Sequence, residues 1–342
     1  MIIRSRAPLR LGLAGGGTDV QTFSDKYGGA VLNVTINLYA HCTIIPTNDG
    51  IIEFIANDIP KKFVTDSVDY IEPVNELILH KGVYNEIKNK FCPERQLSFR
   101  MVTSCDAPPG SGLGSSSTVV VAIIKAYVEW LNLPLSDYDI ASLAYKIERL
   151  DLNLAGGAQD QYAATFGGLN YIEFYSGNKI IVNPLKIKPW IKNELEEMLI
   201  LFFTGQSRDS AKIIKEQIDS TEKNPNAIQK MLEVKQNASK MKEAVLKGDI
   251  AKIINLLNEG WRAKKATSAA ITNDRLNKIY DFVIANGGLA AKISGAGGGG
   301  FMMILCDPAK KYALSKKLND MEGTVLFGSF SDDGVQSWTI NY

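Results

Sequence analysis

Two spacings of apolar residues alternate along the chain. Arg6 to Ala14 reads as a short strand ending in Gly15-Gly16-Gly17-Thr18-Asp19. Val31 to Tyr39 favours a second strand, which Asn48-Asp49-Gly50 is expected to turn back into Ile51 to Ile55 as a hairpin. Val74, Leu77, Ile78, Val83, Tyr84 and Ile87 lie at helical spacing and predict a helix over 74–91. Leu97 to Thr103 then alternates as a strand, and Val119 to Leu131 is an apolar helical segment. Ser136 to Leu150 reads as a further helix, capped by Ser136 with Asp137 and Asp139 in its first turn. A hairpin follows, with Leu169 to Phe174 and Ile180 to Val182 joined about Ser176-Gly177-Asn178-Lys179. Pro184 and Pro189 mark a change of composition, placing a domain boundary near 190. Beyond it come a strand over 198–204, helical patterns from about 209 to 283, and short strands near the end. The fold class is therefore α+β, with domains over 1–190 and 191–342.

Glycine-rich stretches interrupt this pattern three times. In the central one, Pro108-Pro109-Gly110-Ser111-Gly112-Leu113-Gly114-Ser115-Ser116-Ser117-Thr118 joins a strand to the apolar helix. Its glycines permit backbone conformations closed to other residues, and the first N–H groups of the helix have no intrahelical partner. The positive end of the helix dipole lies there too, so the stretch suits a phosphate. It is not a Walker A loop, because Gly114 is followed by serines with no lysine. Val121-Ala122-Ile123-Ile124-Lys125 is too close to the glycines for a protein-kinase lysine strand, and the chain has no His-Arg-Asp or Asp-Phe-Gly element. The last stretch, Ser294 to Phe301, formally contains G-x-G-x-x-G. A strand-like segment follows it, whereas a dinucleotide fingerprint opens a helix. It is instead a place where the chain, at Gly297 for example, passes close to another element or a ligand.

Composition narrows the partners. With 38 Lys+Arg against 37 Asp+Glu in 342 residues, the chain lacks the basic excess of a nucleic-acid binder, which points to a small molecule. The first residues carry no signal-like apolar run and no segment is long enough for a membrane span, so a cytoplasmic location is expected. Cys42, Cys92, Cys105 and Cys306 are scattered and make no metal or disulfide framework with His41 and His80. Cys105 and His41 read as packed strand residues. The lysine-rich helices of the second half interleave glutamates, as solvated helix faces do.

Candidate chemistry gathers at carboxylates. Asp19, after three glycines, can accept hydrogen bonds from a polyhydroxylated ligand, although such a turn on its own is more often a plain surface turn. Glu148 at a helix end and Asp160 after Gly156-Gly157 come from separate elements. They could divide the work between holding a metal and accepting a substrate proton, or serve simply as helix-terminus residues.

The order Ala7-Pro8-Leu9-Arg10, Pro108 to Ser117, and Ser294-Gly295-Ala296-Gly297-Gly298-Gly299-Gly300-Phe301 resembles the GHMP kinases across nearly the whole chain. Arg6 to Arg10 with Ala14 to Asp19 looks most like the heptose 7-phosphate kinases and their fucokinase relatives, with Gly15-Gly16-Gly17 in place of the galactokinase Gly-Glu-His. The resemblance implies an N-terminal domain like ribosomal protein S5 domain 2, with a left-handed crossover, and a ferredoxin-like C-terminal domain, the site lying between them. It implies ATP and Mg²⁺, with Pro109, Gly110, Ser111, Gly112, Leu113, Gly114, Ser115, Ser116 and Ser117 around the nucleotide phosphates. Ser116 and Glu148 fall on the metal-binding positions, Asp160 on the catalytic aspartate and Arg10 on its cationic partner. Gly16, Gly17, Thr18, Asp19 and Gly297 would approach the acceptor.

The activity implied is transfer of the ATP γ-phosphate to the anomeric hydroxyl of a heptose 7-phosphate. A fucokinase-like or other sugar 1-kinase and a non-catalytic sugar or nucleotide sensor are the alternatives. No nucleic-acid or membrane partner is implied, and the protein would be a monomer or homodimer. An acceptor that carries its own phosphate needs a cation away from the ATP phosphates. Thr204 to Ser210 offers one in Arg208, at an expected helix start with Ser207 and Ser210, the alternative being that Arg208 merely pairs with Asp209 or solvent at an exposed helix end.

Overall fold

The computed structural model describes residues 1–206 and 210–341. Among these, the strands form one sheet of eight and one of four. The larger contains β1 (Ile2–Ala14), β2 (Gly29–Pro46), β3 (Ile51–Ala56), β4 (Lys61–Asp66), β5 (Phe99–Cys105), β6 (Leu169–Tyr175) and β7 (Lys179–Pro184). The smaller contains β8 (Leu199–Phe203), β9 (Gly288–Ile293), β10 (Phe301–Cys306) and β11 (Thr324–Leu326), and β12 (Gln336–Ile340) returns to pair with β1 in the larger sheet.

β2 is the spine of the first sheet. Its early residues pair with β6, its late residues with β5, and β1 runs along its other edge. The β1–β2 register shifts between Pro8 and Arg10, where proline has no N–H to give to a ladder. Immediately after that break the chain is buried continuously from Leu9 to Gly12, which sends Arg10 inward instead of to solvent.

Two expectations need correction here. The turn at Asn48-Asp49-Gly50 does not close a β2–β3 hairpin, because β5 lies between those strands and pairs parallel with β3. Ser98, just before β5, fills the gap with its hydroxyl, contacting Thr47, Asp49 and the N–H groups of Gly50 and Ile51. The hairpin is instead β3–β4. The helix expected over 136–150 is α-helical over Asp137–Tyr145, with its Ser136–Asp139 capping box, and then widens to a π-helical turn over Lys146–Asp151. That turn buries Glu148, in keeping with the tendency of π-bulges to occur at functional sites.

The four-stranded sheet has the order β11-β8-β10-β9, that is, its fourth, first, third and second strands, all antiparallel. This is the ferredoxin-like arrangement that the resemblance implies. Leu9, Leu11 and Leu32 of the large sheet pack in one cluster with Leu199, Leu201, Met303 and Met241 from the second half. Burial of each such side chain contributes about 1.5–3 kcal/mol, so the two halves are joined by a core as well as by β12.

Candidate active site

The central glycine stretch opens the helix Ser115–Leu131, whose N-cap is Gly114 in the left-handed region at φ 80°. No side-chain cap is found at this helix start among the described residues, so the amides of its first turn, beside the cavity that Ser115, Ser116 and Ser117 line, keep hydrogen-bonding capacity. The cavity measures about 510 Å³. Pro109, Gly110, Gly112, Gly114, Ser115, Ser116 and Ser117 line one wall, and Gly16, Gly17 and Asp19 line another.

Arg10 and Asp160 meet between these walls. The guanidinium donates from Nε at 2.7 Å and from Nη2 at 2.6 Å to Oδ1 of Asp160. Its Nη1 donates to the Gly112 carbonyl at 2.7 Å and the Ser294 hydroxyl at 3.3 Å. Arg10 thus clamps the central glycine stretch and the late one to the carboxylate. Asp160 stands in the first turn of the helix Gln159–Phe166, and a methyl group on Gly114 would lie 3.0 Å from its Cγ. Glycine at 114 therefore serves both the left-handed turn and the close approach of the acid.

Glu148 is 1% exposed, with Oε1 accepting from Ser117 at 3.0 Å and Oε2 from Gln161 at 2.5 Å. Burial pushes its carboxyl above the usual range, opposed by Arg149 and the Ser117 and Gln161 hydrogen bonds. Arg149, beside it, donates to the Gly157 carbonyl at 3.1 Å and lines the cavity. Asp19 accepts from the Gly17 N–H at 3.0 Å and the Gln159 N–H at 3.1 Å. A methyl group on Gly157 would coincide with its Oδ2, so that glycine makes room for the carboxylate.

Four expected site residues turn away from the cavity. Thr18 is fully buried and its hydroxyl is committed to Gly15 O and to both backbone groups of Ala30, holding the turn shut. Leu113 lies in the core shared by the two halves, and Ser111 is buried with its backbone carbonyl bound by the Phe301 N–H. Gly297 packs on the Ile271 backbone. Arg208 lies outside the described residues.

The late glycine stretch works by backbone contact. A methyl on Gly112 would sit 2.4 Å from Ser294 O, and one on Gly300 would sit 2.3 Å from Ser111 O. Only chains without Cβ atoms can dock this closely. Gly295 and Ala296 reach the cavity, which places the late stretch on its margin.

Pattern reasoning missed Lys264, placed among lysine-rich, solvated helix faces. It is buried, lines the cavity, and donates to the Gly295 carbonyl at 2.6 Å. Neighbouring Arg262 and Lys265 gave no local signal that the third cation of the group faces inward. Arg149 and Gln161 were missed as well, since both reach the site through the Ser117 hydroxyl, 32 and 44 positions away.

Comparison with known proteins accords with this geometry. The GHMP kinases N terminal domain model matches residues 78–168, and the GHMP kinases C terminal model matches residues 241–322. The chain is 49% identical over 338 residues to a D-glycero-alpha-D-manno-heptose 7-phosphate kinase of Campylobacter jejuni, covering 99% of each. It is 27% identical over 320 residues to the bifunctional fucokinase/GDP-fucose pyrophosphorylase of Arabidopsis thaliana, covering 89% of this chain and 30% of that one. A crystal structure of a D-glycero-D-manno-heptose 1-phosphate kinase from Bacteroides thetaiotaomicron superposes with a TM-score of 0.85 at 45% identity, covering 99% of this chain and 100% of the other. With the glycine stretches docked on one another, an uncapped helix over the cavity and relatives matched from end to end, the chain belongs to the GHMP kinase family.

Proposed function

We propose that the protein transfers the γ-phosphoryl group of ATP to the anomeric hydroxyl of D-glycero-D-manno-heptose 7-phosphate, giving the 1,7-bisphosphate. The observation that carries this reading is the Arg10–Asp160 pair, held within the cavity next to the uncapped start of the helix Ser115–Leu131. The free amides of Ser115 to Ser117 and the open backbone at Gly110 to Gly114 would receive the ATP phosphates. Asp160 would accept the acceptor's hydroxyl proton as the hydroxyl oxygen bonds to phosphorus and the bond from phosphorus to ADP breaks. Arg10 would orient that carboxylate through its two contacts to Oδ1.

The residues fit Mg²⁺ as a nucleotide-borne ion. Among the described residues no group of three or more His, Cys, Asp or Glu could cage a metal. Mg²⁺ typically takes one or two protein ligands together with substrate phosphates and water, which suits one buried carboxylate. Glu148 would hold it, with Ser116 on the cavity wall as the second ligand and Ser117 and Gln161 fixing the carboxylate. When bound, Mg²⁺ neutralises phosphate charge.

The two most similar relatives described above differ in their names: one is a kinase of a heptose 7-phosphate, the other a heptose 1-phosphate kinase. The deciding experiment is a Mg-ATP phosphorylation assay over heptose, heptose 7-phosphate, heptose 1-phosphate and fucose, with the new phosphate located by phosphorus NMR. A new anomeric phosphate on the 7-phosphate alone supports the proposal. Equal turnover of free heptose or fucose overturns the substrate assignment.

A further inference from the structure

We propose that Lys264 is an acceptor-binding residue, donating to a hydroxyl oxygen of the sugar while Asp19 accepts from the neighbouring hydroxyl. The assignment rests on the sugar-kinase reading and adds a specificity-determining residue to it. Lys264 comes from the last turn of the helix Ile250–Lys265, in the half of the chain opposite the Gly15 to Asp19 turn. It is 5% exposed, and the face it keeps open looks into the cavity. A methyl group on Gly16 would lie 3.5 Å from its Nζ, so the ammonium sits directly over that glycine turn.

The described hydrogen bonding leaves this ammonium under-used. An ammonium has three donors, and Lys264 directs one to Gly295 O at 2.6 Å. A buried charge with so little compensation is costly unless something else supplies oxygen ligands. Another buried lysine makes the contrast: Lys292 donates to Gly12 O at 2.7 Å and reaches Leu13 O at 3.5 Å, does not line the cavity, and ties β9 to β1. Lys292 is structural, whereas Lys264 is aimed at whatever occupies the cavity.

The charges around Lys264 select a neutral, hydroxylated ligand over an anion. Asp19 is the carboxylate acting most strongly on it and Asp160 acts less, while Arg10 and Lys292 oppose its charge. A phosphate at this point would be repelled by Asp19. A sugar hydroxyl both accepts and donates, so adjacent hydroxyls satisfy the ammonium and the carboxylate together. Gly16, without a side chain, leaves the space before the ammonium open to a ring.

Burial lowers the amine of Lys264 to about 8, with Asp19 the principal influence raising it. The ammonium therefore predominates below pH 8 and is lost above it. A sugar phosphate, with a second pKa of about 6, is mostly dianionic from pH 7 upward, so its own ionisation adds little across that interval.

The test measures KM for the acceptor and for Mg-ATP at pH 7 and pH 9 in wild type, Lys264→Met and Lys264→Arg, with thermal melting of each. Lys264→Met should raise acceptor KM at pH 7 on the order of tenfold or more and leave the ATP value within about twofold, the scale of one charge-assisted hydrogen bond. Wild-type acceptor KM should rise between pH 7 and pH 9. Lys264→Arg, charged throughout, should show no such rise. Equal increases in both KM values would assign Lys264 to holding the Gly295 loop and overturn the proposal, as would a wild-type acceptor KM that is flat with pH. Should Lys264→Met fail to fold, the pH comparison of wild type with Lys264→Arg decides alone. Wild type inactive on every sugar would bring down the kinase reading with it, whereas active wild type beside an unaffected Lys264→Met removes this assignment only.

Discussion

Arg10 places two of its nitrogens on a single oxygen of Asp160, Nε at 2.7 Å and Nη2 at 2.6 Å from Oδ1. Oδ2 receives no hydrogen bond from the described residues and lies 3.2 Å from where a Gly114 methyl would be. The pair thus separates the two oxygens of one carboxylate, one fixed by charge and one available toward the glycine stretch at Gly114.

Asp160→Asn should therefore retain the shape of the site but lose the proposed proton acceptor. The expected result is a kcat lower by roughly 10²- to 10⁴-fold, with nucleotide affinity much less affected. Steady-state kinetics with a nucleotide-binding titration would check it, and near-normal kcat in a folded variant would remove Asp160 from the mechanism.

Gly114→Ala tests the same contact from the loop side. The added methyl meets Asp160 Cγ at 3.0 Å, and the position already has φ 80°. Displacing the carboxylate by a few tenths of an ångström should lower kcat by about tenfold or more, since positioning dominates phosphoryl transfer. The left-handed backbone adds a stability loss of about 1–2 kcal/mol. A stability loss without a kcat loss would show that the carboxylate accommodates the methyl.

Gly300→Ala and Gly50→Ala separate backbone strain from loop docking. Both glycines have positive φ, 83° and 76°, but Gly50 has nothing within 4 Å of a new methyl whereas Gly300 faces Ser111 O at 2.3 Å. Gly50→Ala should lose about 1–2 kcal/mol, and Gly300→Ala about 3 kcal/mol or more because the two glycine stretches must part. Urea midpoints would compare them, and equal losses would mean the docking is loose.

His80 predicts acid sensitivity unrelated to catalysis. It is 4% exposed, with Nε2 2.8 Å from the Thr103 hydroxyl, and burial lowers its pKa to about 4. The unfolded chain takes up the proton near pH 6.5 and the folded chain resists until about 4. Stability is therefore complete above pH 6.5 and declines as pH falls toward 4, by about 3 kcal/mol from this residue. Urea unfolding at pH 7 and pH 4.5 should show a smaller decline in His80→Gln. Parallel declines would acquit His80.

Much of this protein was determined locally. Residue periodicity located the element cores, and the β6–β7 hairpin followed from its turn residues. The glycine-rich stretches announced themselves because left-handed backbone and missing Cβ atoms are properties of the residues themselves. The family resemblance lay in the order of those stretches, as did the ferredoxin-like sheet that it implied.

Tertiary structure decided what no local pattern carries. Alternation says that a strand has a buried face without naming its neighbour, so β5 could displace β3 from β2. A hydroxyl beside glycines can face a ligand or its own turn, and Thr18 faces the turn. Lysine on an amphipathic helix is ordinarily solvated, and only the packing of the helix Ile250–Lys265 beside the Gly16 turn buries Lys264. Arg10 and Asp160, 150 positions apart, become partners through the sheet break after Pro8 and the contact at Gly114. Burial and pairing depend on the whole chain at once, whereas spacing and backbone freedom belong to its short segments.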